Sequence, residues 1–355
     1  MLLGGDMPHA HQVKDHASGL TPVARTRAGG ASGTRTGTRT GQGLGRVIGV
    51  PGPIRPGVKR PGPALGPALD SPPVPVPATF DPVDEANFLI PIRVHMTSIP
   101  LLRFRLLDGL PHGVSSRLGG VSGGKWSSLN LSEGSGDDRE RVLENRRRFA
   151  SSAGVEAAAV TSIHQVHSAT VRVVGPAERG TGYVGGPPRL PDGDGLVTRT
   201  PGAALVAKSA DCPLVLLADR TAGVVGVVHA GWRGTLEGIV PAGVRAMREL
   251  GADPARIVAG LAPCAGPCCY EVKGDVIAKF LAAWPHSYRF LETRENRRFL
   301  DLRAAIREQL AAAGVAPDRV ETAEACTICD PERRFYSYRR DGPGCGHQGA
   351  MIGLP

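Results

Sequence analysis

Residues 209–234, SADCPLVLLADRTAGVVGVVHAGWRG, contain two apolar runs joined by a short polar segment. The runs, 213–219 and 222–229, are apolar at consecutive positions, which is typical of strands covered on both faces. The segment between them is too short for a crossover connection, so we predict that the two strands pair in antiparallel fashion. A turn near 220–223 then places Cys212, which precedes the first strand, close to His229, which ends the second.

The neighbouring sequence predicts further strands. Residues 203–207 (AALVA) and 256–263 (RIVAGLAP) are short apolar runs, and residues 160–174 (VTSIHQVHSATVRVV) alternate in the manner of a strand. The connections in residues 203–229 are too short for repeated βαβ units. We therefore predict an α/β (α+β) fold, a single layered domain whose mixed sheets are largely antiparallel.

Helices are predicted at three places. Apolar residues recur at helical spacing over 138–154 and over 301–315. The second of these segments carries a capping residue, Asp301, before its first turn and Gly314 at its end. A third helix is expected just after residue 234, with Thr235 as its N-cap.

The first 95 residues have a different composition from the rest of the chain. They contain 15 Gly and 14 Pro, which leaves little apolar surface to offset the entropy of ordering. We predict a disordered Gly/Pro/Arg-rich extension over 1–95 and a globular domain over 96–355. Because Met96 stands where the globular sequence begins, the extension is also interpreted as an over-extended start.

Charge and cysteine usage restrict the function classes. The net charge of +9 divides into +4 over residues 1–95 (10 basic, 6 acidic) and +5 over 96–355 (32 basic, 27 acidic). Neither part has a long basic run, which argues against specific nucleic-acid binding. No export signal and no apolar run of membrane-spanning length is present. Seven cysteines without an export signal predict reduced thiols and a cytoplasmic location.

Metal-binding side chains lie beside the predicted strands. His164 and His167 occur in SIHQVHS, and Cys212 and His229 flank the predicted hairpin. In a regular strand His164 and His167 point to opposite faces, whereas Gln165 and His167 share one. At most one of the two histidines then joins Cys212 and His229. Such a three-ligand set suits catalytic Zn²⁺, because a fourth position stays open for water or substrate.

Simpler interpretations of these residues stay open at this point. A histidine on an apolar strand is commonly a hydrogen-bonded core residue, and a lone cysteine is commonly a small buried hydrophobe. A metal-free pair of Cys212 and His229 is also typical of a thiol nucleophile and its base.

The other cysteines form two further motifs. CAGPCCY contains Cys264, Cys268 and Cys269, and CTIC contains Cys326 and Cys329. No second CxxC at zinc-ribbon spacing accompanies CTIC, and no thioredoxin-like pattern surrounds it. We expect these cysteines to be structural, and we expect adjacent cysteines to be unable to chelate one metal ion without strain.

Several basic residues suit an anionic substrate. Arginines and backbone N–H groups near a helix start can hold phosphate or carboxylate. The candidates, some of which could equally be ordinary surface residues, are Arg117, Arg233, Arg339 and Arg340, with Asp341 beside the last of them.

Seven motifs, in order, resemble those of one family. They are HGVSSRLGGVS with SSLNL, HQVHS, DGDGLVT, SADCPLVLLAD, GVVHAGWRGT, GPCCYEV and SYRRDG. In this order they resemble the bacterial multicopper polyphenol oxidoreductase (laccase-domain) family, which includes peptidoglycan editing factor-like proteins. Members of that family are described as purine nucleoside phosphorylases with adenosine deaminase and methylthioadenosine phosphorylase activities.

The resemblance implies a fold, a cofactor and a set of site residues. The fold would be related to the deamidase domain of cytotoxic necrotizing toxins, in which a cysteine and a histidine catalyse. Zinc would be bound by His167, Cys212 and His229. Catalysis would involve Cys212, His229 and Arg233. The substrates, a purine nucleoside and phosphate, would meet Arg117, Asn130, Asp211 and Arg233.

Two departures and three rival functions accompany this interpretation. Ser168 stands where the family typically has glycine, and His347 stands where an arginine is expected, which weakens the argument for phosphorolysis. The rivals are a copper phenol oxidase, a Cys212/His229 hydrolase that edits peptidoglycan precursors, and a non-catalytic partner protein. Multicopper oxidation needs clustered histidines, which the sequence beyond residue 100 does not supply.

Overall fold

The structure is a computed structural model that describes residues 99–185 and 190–355. The predictions for residues 1–95 and for a start at Met96 lie outside the described residues. The strands, in chain order, are β1 (Leu101–Leu102), β2 (His112–Ser115), β3 (Val160–Ser162), β4 (Val171–Val173), β5 (Gly195–Thr198), β6 (Ala204–Ser209), β7 (Leu214–Asp219), β8 (Val224–His229), β9 (Val258–Leu261), β10 (Leu291–Arg294), β11 (Arg297–Leu300), β12 (Val320–Thr322) and β13 (Gln348–Gly353). The helices are α1 (Arg139–Ala153), α2 (Trp232–Glu237), α3 (Ile239–Glu249), α4 (Gly274–Ala283), α5 (Leu302–Ala312) and α6 (Tyr338–Asp341).

Two sheets form the centre of the fold. One has five strands in the order β1-β2-β13-β6-β3, and the other has six in the order β12-β9-β7-β8-β5-β4. A separate hairpin pairs β10 with β11. Seven of the ten strand pairings among the described residues are antiparallel. The predicted α/β class with mixed, largely antiparallel sheets is therefore confirmed.

The two sheets pack face to face because their strands are apolar on both sides. On β7, Leu214 and Leu216 point into the core between the sheets, together with Leu205 of β6 and Ile352 of β13. Val215, also on β7, faces the opposite way, toward the layer that contains α3 and α5. Each fully buried Leu or Val of this kind contributes about 1.5–3 kcal/mol. Helix α1 covers the outer face of the five-stranded sheet.

Helices α1 and α5 form where the sequence predicts them. Asp138 accepts a hydrogen bond from the backbone N–H of Arg141 at the start of α1, and Gly154 ends it with φ of 83°. Asp301 caps α5 in the same way. These caps satisfy N–H groups that a helix leaves unpaired in its first turn. No helix in the part of the chain that the structure describes is long and apolar enough to cross a membrane.

Three local predictions were wrong. Residues 160–174 form two short strands, β3 and β4, in different sheets, because the chain leaves the five-stranded sheet after Ser162 and joins the other at Val171. The argument that assigned His164 and His167 to opposite faces of one strand therefore fails. The third helix begins at Trp232, and Thr235 lies inside it, where its hydroxyl donates to the Ala230 carbonyl.

Candidate active site

Cys212 and His229 meet at one end of the β7–β8 pair. The register places Leu214 opposite His229, and the backbone N–H of Ala230 donates to the Pro213 carbonyl at 2.8 Å. Cys212 therefore lies beside His229 because antiparallel pairing continues to the last residue of β8. His167 completes the group, and the ligand atoms of the three side chains all lie within 4.8 Å of one another.

His167 reaches this position from the loop between β3 and β4. Its backbone is left-handed, with φ of 63°, a conformation that costs energy for a residue with a side chain. Its imidazole packs edge-on against that of His229, with ring centroids 4.9 Å apart. The loop is held in this shape by hydrogen bonds to Asp194, which immediately precedes β5.

Asp194 is the residue around which the site is built. Its carboxylate, fully buried, accepts from the backbone N–H groups of Val166, His167 and Ser168 and from the Ser168 hydroxyl. Oδ1 also accepts from His229 Nδ1 at 2.8 Å. This bond fixes the tautomer of His229 and leaves Nε2 for the cysteine side of the site.

Electrostatics in the site favour a thiolate beside a protonated imidazole. Burial raises the pKa of the Cys212 thiol, but the charge of His229 and hydrogen bonds from both histidines outweigh burial and lower that pKa to about 6. Burial lowers the pKa of His229, but the charge of Cys212 and the hydrogen bond to Asp194 raise it to about 9. The pKa of Asp194 is held well below its usual range by His229 and Ser168, despite burial.

The donor set fits a metal ion. A thiolate and two imidazoles are ligands that Zn²⁺ and copper accept. A carboxylate that accepts from the other ring nitrogen of a metal-binding histidine, as Asp194 does from His229, commonly orients such a ligand. The site is also tight: a Cβ added to Gly231 would lie 3.0 Å from Cys212 Sγ and 3.0 Å from His167 Cδ2. Only glycine lets the backbone pass this close to both ligands.

His167, Cys212 and His229 open onto a cavity of about 840 Å³. Its lining combines cationic, aromatic and neutral polar side chains, and these include Lys208, Arg233, Tyr270, Arg339 and His347. Burial, with the charges of Lys208 and His229, lowers the pKa of His347 to about 4, so this ring is neutral near pH 7. A cavity of this size, with cations on its wall and the His167–Cys212–His229 group at its edge, can hold a drug-sized anionic ligand.

A profile of the family described as multi-copper polyphenol oxidoreductase laccase matches residues 111–355. The chain belongs to this family. A purine nucleoside phosphorylase from Deinococcus radiodurans is 43% identical over 259 residues, which make up 72% of this chain and 94% of that relative. The resemblance inferred from the sequence motifs is thus confirmed.

Solved structures of similar proteins have the same fold. The crystal structure of YlmD from Geobacillus stearothermophilus is 35% identical, with a TM-score of 0.64 over 71% of this chain and 94% of that one. The hypothetical protein YfiH from Bacillus licheniformis is 30% identical, with a TM-score of 0.68 over 75% of this chain and 100% of that one. The laccase-family domain is therefore matched over nearly its whole length.

Of the four residues that the family resemblance assigns to substrate binding, two line the cavity and two do not. Arg233 and Asp211 line the cavity. Both carboxylate oxygens of Asp211 are engaged, by the Thr327 hydroxyl and the Arg339 backbone N–H, each at 2.6 Å. Arg117 and Asn130 are not among the lining residues. Arg117 stacks over the Tyr336 ring and donates to the Ser127 carbonyl.

Asn130 is fully buried within its own loop. It donates to the Ser135 hydroxyl at 2.8 Å and to Asp137 at 2.9 Å, and it accepts from the backbone N–H of His347 at 3.0 Å. In this structure Asn130 holds the segment that carries His347 rather than facing the cavity itself.

Sequence reasoning missed two residues of the site. Asp194 lies in the DGDGLVT motif directly before an apolar strand, which was the available signal, but its partner His229 lies 35 residues away. Tyr270 follows two cysteines, and no sequence pattern marks it as part of a site. In the structure, burial raises the pKa of Tyr270, and the guanidinium of Arg339 lies over its ring.

The structure brings the adjacent cysteines together with the CxxC pair, although no sequence pattern indicates that the two motifs meet. The sulfur atoms of Cys268, Cys269, Cys326 and Cys329, called here the thiol cluster, all lie within 4.8 Å of one another. Two neighbours in sequence can share one cluster because a turn closes over them, in which the N–H groups of Cys269 and Tyr270 both donate to the Gly266 carbonyl.

Proposed function

We propose that this protein is a metal-dependent purine nucleoside phosphorylase. The observation that carries the proposal is a His–Cys–His group that opens onto a cavity with cationic walls. The name carried by the relatives gives the substrate class, a purine nucleoside and phosphate. The products would be the free base and ribose 1-phosphate.

His167, Cys212 and His229 would hold the metal, with zinc favoured over copper. Bound there, the ion would supply a Lewis acid that polarises an oxygen of the substrate. Zinc suits three protein ligands with one open position. Oxidation by several coppers needs more histidines, and within residues 99–185 and 190–355 only two groups bring three or more metal-binding side chains together.

The protein's own residues supply charge and orientation. Arg233 and Arg339 place guanidinium groups on the cavity wall, where they can neutralise the phosphate as its oxygen attacks C1′ of the ribose. The C1′–N9 bond then breaks, and its electron pair stays on the purine, which takes up a proton. Arg339 is held for this role, because its Nη1 donates to the Glu271 carbonyl at 2.9 Å.

Neutral side chains would recognise the uncharged part of the substrate. Tyr270 stays protonated because burial raises its pKa, so its hydroxyl remains a donor at the cavity. His347 is neutral because its pKa is lowered, and it offers one donor and one acceptor rather than a charge. The arginine expected at position 347 is therefore not required for positive charge, which Arg233 and Arg339 already supply.

A second function is favoured by one specific observation. Asp194, His229 and Cys212 form a carboxylate–imidazole–thiol chain of the kind used by cysteine hydrolases. Such an enzyme needs no metal and no second imidazole. His167 therefore helps to separate the two functions, because a metal site would need it as a ligand, whereas the triad would lose only its hydrogen bond to Cys212.

The proposal is tested by metal analysis together with an inosine-plus-phosphate assay on three variants. His167→Ala and Cys212→Ala should each lose the metal ion bound at this site and the phosphate-dependent release of hypoxanthine. Cys264→Ala, which alters a buried cysteine outside the cavity, should keep both. Full phosphorolysis by Cys212→Ala would contradict the proposed site.

The same variants distinguish the rivals. A Cys212/His229 hydrolase would lose its activity in Cys212→Ala, would retain more of it in His167→Ala, and would show no phosphate-dependent release of hypoxanthine. Ammonia release from adenosine tests the deaminase activity that the family resemblance implies. A cytoplasmic location is part of the same proposal, supported by seven cysteines that are all free thiols.

A further inference from the structure

The thiol cluster lies outside the candidate active site and plays no part in the proposed reaction. Its members come from two segments that are 61 residues apart at their outer ends, Cys268 and Cys329. Those two sulfur atoms lie 3.6 Å apart, and the remaining pairs lie within 4.8 Å. Four sulfur atoms bound to one zinc ion at about 2.3 Å would stand about 3.8 Å apart at the corners of a tetrahedron. The spacing observed is therefore that of ligands around a single ion.

The backbone around Cys326 is arranged to support a thiolate. The N–H of Gly266 donates to Cys326 Sγ at 3.2 Å. A neutral thiol is a weak acceptor, whereas a thiolate forms strong charge-assisted hydrogen bonds. The hydrogen bond from Gly266 would therefore strengthen when Cys326 binds a metal ion as a thiolate.

The packing brings the two segments together without a side chain between them. A Cβ added to Gly266 would lie 3.3 Å from Cys268 Sγ and 3.3 Å from the Cβ of Cys326. The N–H of Thr327 donates to the Cys264 carbonyl at 3.0 Å, which sets the register of the segments. On the other side, Arg294 donates to the carbonyl of Cys268 at 3.1 Å. The sulfur positions are therefore fixed by the backbone.

We propose that the thiol cluster binds one thiophilic divalent metal ion of the zinc class, with all four ligands from the protein. Four cysteine sulfurs that can surround one ion are the donor set of structural zinc, and soft sulfur ligands select zinc or iron over Mg²⁺ or Ca²⁺. A multi-iron cluster is disfavoured, because its cysteines bind separate irons and stand farther apart. With four protein ligands, the site is closed to substrate and serves structure.

The ion would support one wall of the cavity. Thr327, inside the CxxC turn, donates its hydroxyl to Asp211, the residue before Cys212. Tyr270, directly after Cys269, lines the cavity. Metal binding to the thiol cluster thus fixes two residues of the wall from outside the site. The inference does not depend on which reaction the cavity performs.

The experiment counts metal ions per chain in the full-length protein, purified with reductant, by native mass spectrometry and elemental analysis. The background variant is Cys212→Ala/His229→Ala, which lacks two of the three candidate active-site ligands. Any metal ion that this variant retains therefore belongs to another site, even if the proposed function is wrong. We expect this variant to keep one zinc or iron ion. Adding Cys326→Ser and Cys329→Ser should bring the content to zero, whereas adding Cys264→Ala should leave one ion.

Two measurements keep the test informative if the quadruple variant does not fold. In the background variant, titration with a mercurial thiol reagent should release one metal ion as the thiol cluster is modified. Cobalt(II) exchanged into the same variant should show the visible absorption and the intense sulfur-to-metal charge transfer of tetrahedral tetrathiolate cobalt. A metal-free background variant with all cysteines reduced, or one with a Cys268–Cys329 disulfide despite reductant, would overturn the proposal.

Discussion

Asp194→Asn is the substitution that most directly tests how the candidate active site is built. The carboxylate accepts five hydrogen bonds, from the backbone N–H groups of residues 166–168, the Ser168 hydroxyl and His229 Nδ1. An amide of nearly the same size has one acceptor oxygen, and its NH₂ group faces donors. Whichever way the amide turns, at least two donors lose their acceptor.

The expected magnitudes follow from this geometry. A buried donor left without an acceptor costs about 1–3 kcal/mol, so the loss of two acceptors should lower the free energy of unfolding by roughly 2–6 kcal/mol. Loss of the carboxylate behind a metal-binding histidine typically weakens metal affinity by about 10- to 100-fold. At about 1.4 kcal/mol for each factor of ten, that is about 1.4–2.8 kcal/mol of binding free energy.

The assay compares two buried carboxylates. Asp219, at the far end of β7, is also fully buried and accepts from Arg256 and from two backbone N–H groups. Asp219→Asn should lower the denaturant midpoint to a similar extent but leave zinc affinity unchanged, as measured by competition with a chromophoric chelator. Asp194→Asn should lower both.

The reasoning would be refuted by a folded Asp194→Asn protein that binds zinc as tightly as the wild type. An equal loss of zinc affinity in Asp219→Asn would be just as damaging, because it would show that affinity follows general stability rather than the orientation of His229.

Three further predictions concern the same cavity. In metal-free protein, the rate of Cys212 alkylation should increase with pH with a midpoint near 6, because the lowered pKa keeps the thiolate present above that pH. In His229→Ala the midpoint should rise. An unchanged midpoint, measured on the peptide that contains Cys212, would contradict the ion pair between Cys212 and His229. Gly231→Ala should lower zinc affinity because its Cβ would lie 3.0 Å from the Cys212 sulfur, whereas Gly274→Ala, whose Cβ would have nothing within 4 Å, should leave zinc affinity unchanged. Equal affinities in the two variants would contradict the close approach of the Gly231 backbone to Cys212. Arg339→Gln should raise KM for phosphate about 10- to 100-fold, the value of one charge-assisted hydrogen bond, and a matching rise in KM for inosine would argue against phosphate contact.

Features of the fold that depend on short stretches of sequence were predictable. The β7–β8 pair followed from two apolar runs and a turn, and the helices over 138–154 and 301–315 followed from apolar spacing and caps. In each case the information lies within about 20 residues. The approach of Cys212 to His229 belongs to this group, because hairpin geometry alone brings the two together.

Features that depend on long-range pairing were not predictable. The alternation of apolar residues over 160–174 predicts one strand, because such a pattern does not show with which sheet each half of the segment pairs. In the structure the two halves belong to different sheets. The position of His167 depends on a left-handed loop held by Asp194, which lies 27 residues further along the chain. The thiol cluster joins segments 61 residues apart, so spacing rules for zinc ribbons do not detect it.

The central place of β13 in the five-stranded sheet has a consequence for biosynthesis. It is the last of the described strands to be made, yet it pairs with β2 on one side and β6 on the other. Until it emerges from the ribosome, both neighbours present open edges that can pair with other chains. Chains that stop before residue 348 should therefore be bound by chaperones or degraded by proteases rather than fold into weakened enzymes. The yield of folded protein should accordingly depend on whether β13 is present.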